Sequence, residues 1–181
     1  KAAAVPARKE IAALRRDVSS TAGFPVVLSV HDDAASLAFA NRSDVKKISQ
    51  QGPATPDHVI RTKRVPMIGR DVASYISDYK AYFEKTAKTA REPKTMLDPA
   101  PRVILDAELG VCTVGRNAKD AAIVFDIYEH TMEIIQRAEL LGGWKALPAK
   151  DIFDVKVPEG LKKHPDKAKE IGAIYCFKVT G

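Results

Sequence analysis

Residues 102–143, RVILDAELGVCTVGRNAKDAAIVFDIYEHTMEIIQRAELLGG, decide the fold. Arg102-Val103-Ile104-Leu105-Asp106 and Gly110-Val111-Cys112-Thr113-Val114-Gly115 are two short apolar runs. An Ala107-Glu108 turn separates them, so they read as paired strands. Asn117 is a helix N-cap, and the helix it opens runs from about Ala118 to Leu141 before Gly142-Gly143 closes it. Strand, turn, strand and helix in immediate succession predict a sheet with a helix laid on it.

The flanks extend the same alternation. Residues 7–18 place Ile11, Leu14 and Val18 at helical spacing, with Arg8, Lys9, Arg15 and Arg16 largely opposite, and Gly23 breaks the pattern. Residues 25–30, Pro25 to Val30, predict a buried strand that His31-Asp32-Asp33 ends. Asp32 or Asp33 caps a helix containing Leu37, Phe39 and Ala40. A short helix follows near residues 44–51. After Pro66 a Met-Ile-Gly link leads to an amphipathic helix at about 70–90, whose buried stripe is Val72, Tyr75, Ile76, Tyr79, Tyr82 and Phe83. Residues 91–101 hold three prolines and read as a loop. The whole predicts an α/β sandwich of sheet and helices in two or three layers. It divides into an N-terminal helix (1–19), an α/β domain (20–153) and a short extension (154–181).

Residues 52–66, GPATPDHVIRTKRVP, concentrate chemistry as no other stretch does. Thr55 before Pro56 reads as an N-cap with proline at the first helical position, and Asp57 sits favourably in that first turn. His58 follows, and on an extended backbone Arg61 and Lys63 would share one face. Thr55, Asp57, His58, Arg61, Lys63 and Arg64 are therefore the candidate anion-binding residues, for a phosphate or carboxylate. Charged, proline-stiffened loops also serve as plain connectors.

Composition narrows the alternatives. With 181 residues and 45% hydrophobic content, the chain can form one well-cored domain. The net charge of +6 is scattered, and aromatics do not interleave with the cations, which argues against nucleic acid as a partner. No apolar run approaches a membrane span. Cys112 and Cys176 lie far apart in apolar strand-like runs and read as reduced core residues. They suit a reducing intracellular compartment, cytoplasm or organelle. Lys1 in place of an initiator Met, and Gly181 directly after an apolar run, lead us to expect a piece of a longer polypeptide.

Catalytic signatures are sparse. His31, His58, His130 and His164 form no H-x-H or H-x-x-x-H pair. His130 reads as a helix-surface or packed residue, and His31 as a turn residue at a strand end, where open sheets also place ligand groups. The chain has no G-x-G-x-x-G, P-loop or G-x-S-x-G. All five tyrosines lack a lysine four residues on. Self-contained catalysis is not expected, and the 52–66 residues suit binding better than bond-breaking.

Residues 52–66 together with residues 96–146 resemble bifunctional class II aldolase/short-chain dehydrogenase proteins, which include the rhamnulose-1-phosphate aldolase/lactaldehyde dehydrogenase enzymes. The resemblance covers about residues 20–153, in the region joining the two halves. It implies a class II aldolase-like fold, and for the parent protein zinc and NAD as cofactors and a sugar phosphate as substrate. Class II aldolases hold zinc with three histidines and use a carboxylate as acid/base. In this resemblance a ligand histidine precedes the glycine matching Gly110, but the chain has Leu109 there, after Glu108. No zinc ligand is carried over, and no cofactor is expected within this piece. Residues 160–181 resemble the opening of a sterol carrier protein 2 domain, a lipid-binding family, though too little is present to form its tunnel. The function these readings imply is an anion-binding or domain-bridging unit of a larger aldolase-like protein. The alternatives are a non-catalytic assembly subunit or part of a lipid-carrier fusion.

Overall fold

A computed structural model describes residues 8–91, 93–154 and 177–179. Residues Val103–Asp106 (β4) and Gly110–Gly115 (β5) form the expected antiparallel hairpin, with Val103 opposite Thr113 and Asp106 opposite Gly110. Both strands are buried along their whole length. Residues Val27–His31 (β1) pair antiparallel with the far side of β5. Met67–Ile68 (β2) pairs parallel with β4, giving the order β1-β5-β4-β2.

Alternation along the strands sends side chains to two cores. Ile104, Cys112 and Val114 face one, built with Leu14 and Val18 of helix Arg8–Ala22 (α1) and Val72, Tyr75 and Tyr79 of helix Val72–Ala87 (α5). Ile152 and Phe153 of the short helix Ala149–Phe153 (α7) join that side. Val103, Leu105 and Val111 face the other core. It contains Phe39 of Ala34–Ala40 (α2), Ile48 of Val45–Ser49 (α3), and Val124, Tyr128, Met132 and Ile135 of Ala118–Leu140 (α6). The architecture is therefore three layers, helix on sheet on helix.

The local signals act as their chemistry requires. Asp33, not Asp32, caps α2, accepting from the amides of Ala35 and Ser36. Asn117 caps α6 by accepting from the Asp120 amide. At the far end of α6 the amide of Gly143 donates to the Ala138 carbonyl, with Gly142 and Gly143 both at positive φ. The α5 stripe falls as expected, with Ile76, Tyr82 and Phe83 partly buried beside the core.

Three expectations needed correction. The Met-Ile-Gly link is strand β2, because pairing with β4 gives its two residues a ladder that no local pattern announces. Residues 91–101 are not all loop: Lys94–Met96 (β3), proline-free between Pro93 and Pro99, pairs with Phe177–Val179 (β6). The first strand begins at Val27 and runs through His31, and as an edge strand it is half-buried rather than buried. Cys112 is a buried free thiol, pushed up to about 12 by burial and hence unreactive. Cys176 and His164 lie outside the described residues, as does the sterol-carrier-like stretch apart from β6.

Two glycines of β5 let neighbours approach the sheet at backbone distance. A Cβ on Gly115 would lie 2.3 Å from the Ala121 amide nitrogen of α6, and one on Gly110 2.3 Å from the His31 carbonyl oxygen. Gly110 also has φ +73. Gly23, by contrast, has φ +76 but open space around it. Urea denaturation should therefore show Gly115→Ala losing about 3 kcal/mol by forced overpacking, against about 1 kcal/mol of backbone strain for Gly23→Ala. Equal losses would refute the close-packing account.

Candidate functional site

The 52–66 segment folds into a brace between helices. Thr55 takes the extended N-cap conformation before a 3-10 turn at Pro56–His58, but its side chain caps no amide. Thr55 Oγ1 instead hydrogen-bonds His58 Nδ1. Asp57 lies within that turn. The turn runs into the four-residue helix Val59–Thr62 (α4), which carries Arg61, half-buried.

Lys63 ends α4 at φ 65, its amide donating to the Val59 carbonyl. Arg61 and Lys63 therefore do not share an extended face, since one is helical and the other sits in the left-handed region. Lys63 is 3% exposed. Its Nζ donates to the Asp98 carbonyl at 2.6 Å and to Tyr79 Oη at 3.3 Å, and lies 4.3 Å from the Tyr79 ring centroid. A lysine so engaged ties α4 to α5 and to the loop before β4 rather than offering its charge to an anion. A left-handed non-glycine residue costs about 1–2 kcal/mol, which these contacts offset.

Arg64 does a related task one residue on. Its Nη1 donates to the carbonyls of Gln50 and Gln51 at 3.4 and 3.3 Å, and its guanidinium stacks 4.6 Å over the Tyr82 ring. Arg64 Nε and Tyr128 Oη are both buried without a hydrogen-bond partner among the described residues, and both side chains line one small void. Of the six candidate residues, the fold thus turns Lys63 inward and braces Arg64 on one nitrogen. Thr55, His58 and Arg61 stay nearer the surface.

A second constellation, on residues distant in sequence, escaped the sequence reading. Arg70 binds Asp106 through Nε at 2.7 Å and Nη2 at 2.9 Å. It reaches Glu108 through Nη2 and Glu10 of α1 through Nη1, each at 2.7 Å. Asp106 also accepts from the amides of Glu108 and Leu109, closing the hairpin turn. Burial pushes the Asp106 carboxyl up, but the Arg70 bonds and the two amides outweigh it and hold it below the ordinary range.

The histidines disperse. His31, at the end of β1, stacks on Phe125 of α6 with ring centroids 3.5 Å apart, and its Nε2 lies 3.2 Å from Thr113 Oγ1. Burial lowers its pKa against the pull of Asp33, Glu129, Asp126 and Asp32. His130 is exposed on α6, 3.7 Å from Glu133. Leu109, where an aldolase-type ligand histidine would stand, is 1% exposed in the apolar core. Among the described residues no three His, Cys, Asp or Glu side chains gather in a group able to hold a metal ion. The described residues do not fit a three-histidine zinc site.

With this geometry in view, the family becomes clear. Residues 5–156 match the family described as Aldolase class II, second domain, and the chain belongs to it. It is also 27% identical over 148 residues to the uncharacterized oxidoreductase YuxG of Bacillus subtilis (strain 168). That match covers 72% of this chain but only 21% of the relative, so the chain spans about a fifth of that protein's length. No solved structure matches the chain significantly.

The Asp106 clamp carries a pH signature. A carboxyl held below its unfolded value stabilises the fold fully above that value, near 3.8, and the contribution is lost as pH falls through the folded value. Asp106→Asn should therefore cost on the order of 3 kcal/mol at pH 7, where it removes the buried, two-pronged carboxylate partner of Arg70 and leaves only the exposed Glu10 and Glu108. The gap between wild type and variant, measured by denaturant melts, should narrow as pH drops below about 4. A gap independent of pH would exclude the ion pair as its cause.

Proposed function

We propose that this domain is a metal-free, domain-bridging unit of a larger class II aldolase and oxidoreductase protein. The observation that supports it best is the fate of the position before Gly110. An apolar Leu109 fills the core there, and its neighbour Glu108 is paired with Arg70. Both the ligand position and the adjacent carboxylate serve structure. Lys63 is likewise a brace between elements.

A bridging unit needs a surface to bridge with. The distal end of α6 and the segment after it expose Leu140 and Leu141, at 86% and 89%, with Leu147 half-exposed. Apolar side chains gathered near one helix end suit contact with another domain. The parent we favour is of the rhamnulose-1-phosphate aldolase/lactaldehyde dehydrogenase type, on the resemblance carried by residues 52–66 and 96–146. Its zinc and NAD would then be held by other domains. Retained anion binding around Thr55, Asp57, His58, Arg61 and Arg64 is compatible with this role. A lipid-carrier role has no support among the described residues.

Two measurements test the reading. Elemental analysis of the purified chain should find zinc well below one equivalent, and stoichiometric zinc would overturn it. In the full-length parent, Leu140→Glu with Leu141→Glu should increase protease cleavage between domains several-fold. The melting temperature of the isolated chain should be nearly unchanged, because both side chains are already in water. Unchanged cleavage would place the bridging surface elsewhere.

A further inference from the structure

The face of α5 that carries Tyr75, Tyr79 and Tyr82 borders a cavity of about 250 Å³, completed by Gln50, Arg64 and Asp78. A neighbouring hollow of about 220 Å³ shares Gln50, Tyr75 and Asp78, so the two form one groove between the end of α3 and α5. Each is smaller than the roughly 300–1,000 Å³ of drug-sized sites, and suits a small molecule. Neither the metal question nor the bridging role bears on this groove.

Its wall chemistry is selective. Arg64 is the cation lining the inner cavity, and the hydrogen bonds described for it run through Nη1 alone, to the Gln50 and Gln51 carbonyls. Nε is buried, which leaves Nη2 as the guanidinium nitrogen to meet a carboxylate. Gln50 uses Nε2 on the Pro66 carbonyl at 2.9 Å, which leaves its Oε1 as an acceptor. Asp78 adds a carboxylate acceptor on the same wall. Two acceptors call for donors on the ligand, such as hydroxyl groups. Tyr75, which lines both hollows, adds aromatic surface for its C–H face.

Charge decides between the anions that Arg64 could hold. Across the groove two cations, Arg64 and Lys46, face two carboxylates, Asp78 and Asp71, so it carries no net positive charge to meet a dianion, and Asp78 beside Arg64 repels a second negative charge. We propose that the groove binds a small polyhydroxy monocarboxylate, a sugar acid, with its carboxylate on Arg64 and its hydroxyls on Asp78 and Gln50.

Gluconate titrated into the full chain, followed by amide chemical shifts or calorimetry, tests this. Wild type should bind gluconate more tightly than inorganic phosphate or alanine. Arg64→Ala should weaken gluconate about tenfold, the loss expected for one charge-assisted bond. Asp78→Ala should weaken gluconate while strengthening phosphate, because it removes acceptor and repulsion together. Asp78 lies exposed on α5, so this variant keeps the test alive if Arg64→Ala fails to fold. Phosphate binding as tightly as gluconate would overturn the proposal, as would gluconate affinity unmoved by both variants. Tighter binding of alanine would overturn the hydroxyl assignment in favour of an ammonium.

Discussion

The closeness with which other elements approach β5 is the constraint on which the structure depends. This strand is central in every sense: it pairs with both β1 and β4, and α6 packs against it. At each end a glycine removes the atom that would hold a neighbour away. At Gly115 the first turn of α6 sits against the strand backbone, and at Gly110 the end of β1 does so. With those distances set, Val111 and Cys112 fall on opposite faces and each joins a separate apolar core. The two cores then recruit the helices. Their burial, not helix propensity, holds short pieces such as α3 and α4 in place.

Polar groups secure what burial alone leaves loose. Arg70 collects carboxylates from α1, from β4 and from the hairpin turn, so one guanidinium joins three separate parts of the chain. Lys63 likewise joins α4, α5 and the loop before β4, with a backbone carbonyl and a phenol as its partners. In both cases a residue that looks reactive in isolation has its chemistry absorbed by architecture. The same holds for His31, flattened against Phe125, and for Cys112, sealed within the sheet. An aldolase-family fold persists here, and Leu109 before Gly110 is part of its core.

The legible parts of the sequence were those whose cause is local. The β4–β5 hairpin, the Asn117 cap and the glycine stop after α6 depend on residues a few positions apart, and all were read correctly. The alternation they began implied sheet and helices in two or three layers, and the structure has three. Strand β2 was missed because two residues make no pattern, and only its partner β4, some 37 positions on, defines it as a strand. Lys63 was read as an anion contact for the same reason. Its partners stand 16 and 35 positions away, and its left-handed backbone reverses the face an extended chain would show. The Arg70 cluster, drawn from residues 10, 70, 106 and 108, carries no short-range signal at all. Arg64 was singled out from sequence, but its place beside Tyr82, Gln50 and Asp78 was visible only in the fold.

The helix α6 has 23 residues, which gives a rod about 35 Å long, whereas the six residues of β5 extend only about 20 Å. Its last buried core residue is Ile135, so the final turn lies beyond the apolar core. A rod clamped along most of its length and free at the tip is a cantilever. A force applied at Leu141 is transmitted as torque to the near edge of the clamp, where Ile135 is the last side chain held in the core. The stiffness of this domain against such a load is therefore set by the packing around Ile135, about 9 Å of helix axis from where the load would fall.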